Sequence, residues 1–131
     1  MAPPKVFTLE EATSLMERIR QVVRQIQADK GRADEGRVAY EQLDAAHARG
    51  NGYDMKREIL ATQIIDSMKA VQAGFNRLKE IGCEIKDIEM GLIDFPSMRD
   101  GRLINLCWMI DEERIAYWHT LDSGFASRKP L

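Results

Sequence analysis

The stretch CEIKDIEMGLIDFPSMRDGRLINLCWMIDEERIAYWHT, residues 83–120, decides the fold. Short β-branched and aromatic runs alternate there with Gly, Pro and Asp turn chemistry, which is the pattern of an antiparallel sheet. Cys83–Ile88 and Met90–Phe95 read as two short strands, the second ended by Pro96. Pro96 to Gly101 is a polar turn region with Asp100-Gly101 as its tightest point. Leu103–Ile110 and Ile115–Thr120 read as further strands around a hairpin loop, Asp111–Arg114. That loop sets Ile110 against Ile115, Trp108 against Tyr117 and Leu106 against His119, with Met109, Cys107, Ala116 and Trp118 on the opposite face. Both faces are then fairly apolar. One is expected to pack on helices, and the other to need an interface or the tail Leu121–Leu131 over it.

Upstream of Gly82 the apolar period changes from two to that of a helix. Thr8-Leu9-Glu10-Glu11 has capping-box spacing, with Phe7 just before the cap. Leu9, Ala12, Leu15, Met16, Ile19, Val22, Val23 and Ile26 recur at three- and four-residue steps, so a helix is expected to run to about Asp29, before Gly31. Residues 34–49 read as a second, weaker helix broken into by Gly36. Gly50-Asn51-Gly52 offers turn chemistry. Asp54 can cap a long helix through Ile59, Leu60, Ile64, Ile65, Met68, Val71, Phe75, Leu78 and Ile81, with Gly82 as its left-handed stop. At 1.5 Å rise that rod is roughly 42 Å long, and it overhangs a small domain unless another element or subunit covers it.

The 131 residues are the size of one domain, with 44% hydrophobic and 31% charged side chains. The expectation is a single domain over 1–131, helical through residue 82 and stranded from 83, with a C-terminal tail. Nineteen basic against twenty-one acidic groups argue against a general nucleic-acid binder, which needs a basic excess to displace counterions. No apolar run is long enough for a bilayer span, and Met-Ala-Pro-Pro-Lys is followed by no signal-like stretch. A cytoplasmic protein is expected, with Cys83 and Cys107 reduced and packed as small core residues. No Gly-rich phosphate loop, G-x-S-x-G or H-E-x-x-H spacing occurs.

Gly91-Leu92-Ile93-Asp94-Phe95-Pro96, Gly101-Arg102, Leu106-Cys107-Trp108, Trp118-His119, Gly124-Phe125, Arg128 and Pro130-Leu131 together form an unusual string. With the opening Phe7-Thr8-Leu9-Glu10-Glu11-Ala12, it resembles domain-of-unknown-function family 2203, a family of small uncharacterised prokaryotic proteins. The likeness covers both ends of the chain and is loose between roughly Gln25 and Ile59. It implies a soluble intracellular protein with a helical front half, and no known activity. Met109 departs from it, standing where the family often has arginine.

Chemistry-bearing residues concentrate in the strand region. His119 is either a core-edge histidine tied to a carbonyl or carboxylate, or a metal ligand or base. Asp94, between Ile93 and Phe95, needs an arginine, several N–H donors or a metal, and Arg102 or Arg128 are the candidates for a salt bridge. His119 and Asp94 with Glu113 or Asp122 could make a mixed nitrogen and oxygen shell for zinc, manganese or iron. Arg102 and Arg128, with Arg99 and Lys129, could instead gather to hold an anion through their forks. His47 reads as solvent-facing.

The expected architecture is α+β: an antiparallel hairpin of two or three helices followed by a small antiparallel β-sheet. The expected partner is a second copy in a two-fold dimer, because the long helix and two-faced sheet leave apolar surface uncovered. For function, a non-enzymatic binding or interaction module with a polar cluster at the sheet end is set against a metal-dependent enzyme, of hydrolase type, centred on His119. In the second, a divalent transition metal is the cofactor and Glu113 the base. No substrate or small-molecule ligand is specified by the residues.

Overall fold

The computed structural model describes residues 5–45 and 53–131. Three helices, α1 (Leu9–Ser14), α2 (Met16–Ala45) and α3 (Tyr53–Ile81), precede five strands: β1 (Glu84–Asp87), β2 (Leu92–Arg99), β3 (Arg102–Met109), β4 (Tyr117–Thr120) and β5 (Lys129–Pro130). The strands form one antiparallel meander in chain order, so the fold is α+β as its sequence patterns require. The chain falls into two compact units. One gathers the residues up to Arg24 and from Phe75 onward, and the other runs from Gln25 to Gly74.

The capping box at Thr8 is present in both directions: its hydroxyl accepts from the Glu11 amide at 3.0 Å and its amide donates to the Glu11 carboxylate at 3.1 Å. Thr13 and Ser14 hydroxyls donate back to the Leu9 and Glu11 carbonyls, and that competition with the helical ladder accompanies the break at Leu15. The expected stop before Gly31 does not occur, and the second helix expected over 34–49 is the continuation of α2. A glycine ends a helix by turning left-handed, and Gly31 does not; Gly82, at φ +108°, does. Around Gly31, Asp29–Arg32 and Lys30–Asp34 pair one turn apart and support the helix across it. At the end of α3, the Gly82 and Cys83 amides both donate to the Leu78 carbonyl. The Gly50-Asn51-Gly52 turn and His47 lie outside what is described; α3 already includes Tyr53, so Asp54 stands inside its first turn and not at its cap.

Within the Gln25–Gly74 unit the two helices run antiparallel, for Ile26 lies against Gly74 and Ile64 against Gly36. A Cβ at Gly74 would meet Ile26 Cγ1 at 2.3 Å, so that approach requires glycine. Arg57 reaches Tyr40, stacking at 5.3 Å from the ring centroid.

In the sheet unit, β1 is shorter than expected, and a turn through Ile88–Gly91 leads into β2. Pro96 does not end β2, which continues to Arg99. The Pro96 carbonyl accepts from the Phe7 amide at 2.7 Å, and a residue's nitrogen and carbonyl face the same strand edge. The proline nitrogen therefore faces away from β3, beyond the last β1 pairing at Asp94, where no ladder bond is lost. Asp100 and Gly101, both at positive φ, close β2 onto β3 as a two-residue turn.

The β3–β4 register differs from expectation by one residue. Leu106 pairs with Trp118, Cys107 with Tyr117 and Asn105 with His119. Ile110 continues the β2–β3 ladder past Met109, its amide donating to Gly91 O at 3.1 Å, while the β3–β4 pairing runs from Cys107–Tyr117 to Ile104–Thr120. Glu112 folds back over the connection, accepting from the Met109 amide at 2.8 Å and, through its carbonyl, from Trp108 Nε1 at 3.0 Å. Ile93, Phe95, Ile104, Leu106 and Trp108 consequently share one buried face. Phe7 packs edge-on against Phe95, and Arg20 lies over Trp108 while donating to the Ile110 carbonyl. The sheet's outer strands are both interrupted: β1 by a register shift between Ile85 and Asp87, β5 by Pro130.

Candidate functional site

The opposite face of the sheet carries Asp94, Cys107 and His119, each buried. Asp94 on β2 is the direct partner of Cys107 on β3, and His119 on β4 pairs with Asn105, two residues before Cys107. Cross-strand partners share a face, so backbone register alone brings the three together. One ligand-type atom from each lies within 4.8 Å of the others.

His119 Nδ1 lies 2.7 Å from the Thr120 carbonyl, which can only accept, so Nδ1 carries a hydrogen. Nε2 is 3.0 Å from Asp94 Oδ1, and a single proton lies between imidazole and carboxyl. Burial pushes the Asp94 carboxyl above the ordinary aspartate range, and the His119 hydrogen bond pulls it partly back. Burial also pushes the Cys107 thiol up to about 11, with the Asp94 carboxyl adding to it and Arg128 opposing. At neutral pH the thiol is protonated, which opposes use as a nucleophile. A cleft of about 510 Å³, lined among others by Phe75, Lys79, Glu84, Pro96 and Asn105, reaches Asp94.

Asp94 and His119, both singled out from the sequence, are brought into contact. The other candidates are placed elsewhere. Glu113 is exposed in the β3–β4 connection and is not part of the buried group, where Cys107 stands instead. Arg102 is exposed at the β2–β3 turn, opposite Arg99. Arg128 pairs with Glu112, not Asp94, through two contacts of 3.0 Å, and its guanidinium stacks over Tyr117 and Phe125. The C-terminal tail thus covers part of this face. Arg99 and Lys129 flank the Trp118 ring rather than an anion. Among the described residues Trp118 Nε1 is buried without a hydrogen-bond partner.

Sequence reasoning missed Cys107 and Glu112 as members of these clusters. The signal for Cys107 was present: an Asp-Gly two-residue turn at 100–101 fixes Arg99 opposite Arg102, and counting back places Asp94 opposite Cys107.

Among the described residues no helix is long and apolar enough to cross a membrane. Comparison with curated proteins and with solved structures finds no match for the chain. The family described as "Uncharacterized conserved protein (DUF2203)" matches residues 5–131, essentially the whole chain, and the chain belongs to that family.

Proposed function

We propose that this protein is a non-enzymatic binding module that associates with a second copy of itself through the Gln25–Gly74 hairpin. The observation that carries the reading is the apolar surface the hairpin leaves in solvent: Val38, Met55, Ile59, Ile65 and Met68 are each between 51% and 66% exposed. Ile59 also lines a cleft of about 500 Å³ with Ala39, Leu43 and Leu60. A two-fold axis sets the same surface of two copies together, so one sequence supplies both halves of the interface. In support of a non-enzymatic role, both ring nitrogens of His119 are engaged and the Cys107 thiol is buried and protonated. The metal-dependent hydrolase reading has less support, because Glu113, its base, stands outside the Asp94–Cys107–His119 group.

Light scattering coupled to size exclusion at micromolar concentration tests the reading. A dimer mass is expected for the wild type and a monomer mass for Ile59→Lys with unchanged helicity. A monomeric wild type overturns it.

A further inference from the structure

We infer that Asp94, Cys107 and His119 form a binding site for a divalent transition metal of the zinc class, one ligand from each of three neighbouring strands. The donor set is an Asp94 carboxylate oxygen, the Cys107 sulfur and a His119 ring nitrogen, all mutually within 4.8 Å; binding of the ion displaces the thiol proton and the proton between Asp94 and His119 to solvent. Donors around a tetrahedral zinc, at bonds of about 2.0–2.3 Å, stand roughly 3.3–3.8 Å apart. The three atoms are therefore already at the scale of a coordination shell, and the 3.0 Å Asp94–His119 contact needs only a small spread to admit an ion.

Two further features point the same way. The Nδ1–H of His119 donates to the Thr120 carbonyl at 2.7 Å, which fixes the ring and turns Nε2 toward Asp94. A ligating histidine held by a backbone carbonyl at its other nitrogen is the usual outer-shell arrangement. The charges also close: a divalent ion with one thiolate, one carboxylate and a neutral imidazole sums to zero, which suits a buried place. Arg128, which favours the ionised Cys107 sulfur, is itself held by a two-point pairing with Glu112. A sulfur ligand selects zinc or cobalt over magnesium or calcium.

Asp94 also lines the 510 Å³ cleft, which gives an ion access to the group from the Asp94 side. The inference is independent of the hairpin's self-association.

The test is titration of the full chain, expressed without a metal-affinity tag, with cobalt(II) alone. One equivalent should bind and give a thiolate-to-cobalt charge-transfer band, removed by competing zinc. The band should vanish in Cys107→Ser and persist in Cys83→Ser, whose thiol is buried elsewhere. His119→Ala should weaken binding on the order of 100-fold. Absence of the band in the wild type, or its survival in Cys107→Ser, overturns the assignment. Should Cys107→Ser fail to fold, the wild-type band and its fate in Cys83→Ser decide the question.

Discussion

The hairpin unit and the sheet unit are of one chain, yet they exclude water in different ways. Among the described residues, the hairpin contributes only Ile26 and Ala33 to the buried apolar set, alongside Asp29 and Ser67. The sheet unit holds Ile93, Phe95, Cys107 and Trp108 at zero exposure. The contrast follows from layering. The sheet unit has a two-sided sheet with Phe7, Arg20 and the C-terminal tail packed on it, whereas two helices alone form a single layer with outward-facing sides. A region can be regular without being self-sufficient, and the hairpin's regularity comes from backbone ladders and helical spacing.

The largest expected effect falls on the sheet unit. Trp108→Ala removes a fully buried ring together with its Nε1 bond to the Glu112 carbonyl, and should cost about 3–5 kcal/mol in chemical denaturation. A loss below 1 kcal/mol would mean that the core is not centred there. In the hairpin, the closer of two glycine contacts is the one at Gly74, with Gly36 against Ile64 the other. Gly74→Ala drives a methyl into the Ile26 side chain and should destabilise by about 1–3 kcal/mol. A neutral outcome would show that the helices separate freely. The smallest effect has the opposite sign. Nothing lies within 4 Å of a Cβ at Gly31, which is helical, so Gly31→Ala should stabilise by about 0.5–1 kcal/mol and raise the denaturation midpoint. A destabilised Gly31→Ala would reveal a covering surface on that side of α2.

How far the sequence speaks depends on which force sets each feature. The capping box at Thr8 and the stop at Gly82 were legible because local hydrogen bonding and backbone sign determine them. Gly31 was misleading since composition does not report φ, and a helical glycine costs only about 1 kcal/mol. Pro96 was read as a terminator because its harmlessness depends on which strand edge it faces, a fact of pairing rather than of residue type. The site shows the same division. Asp94 and His119 stood out as polar groups in apolar runs, but Cys107 was assigned to the far face. With a side-chain period of two, the one-residue slip between β3 and β4 inverted its relation to His119.

The interrupted outer strands have a consequence for behaviour at high concentration. Growth of sheets from molecule to molecule requires a free run of backbone donors and acceptors along an edge. β5 ends in Pro130, which has no N–H to offer, and β1 is kinked where its pairing shifts beside Lys86. Neither margin can template a straight strand from a neighbour, so fibril-like stacking is blocked at both sides of the meander. Crowding should then drive this molecule toward helical contacts and away from amyloid.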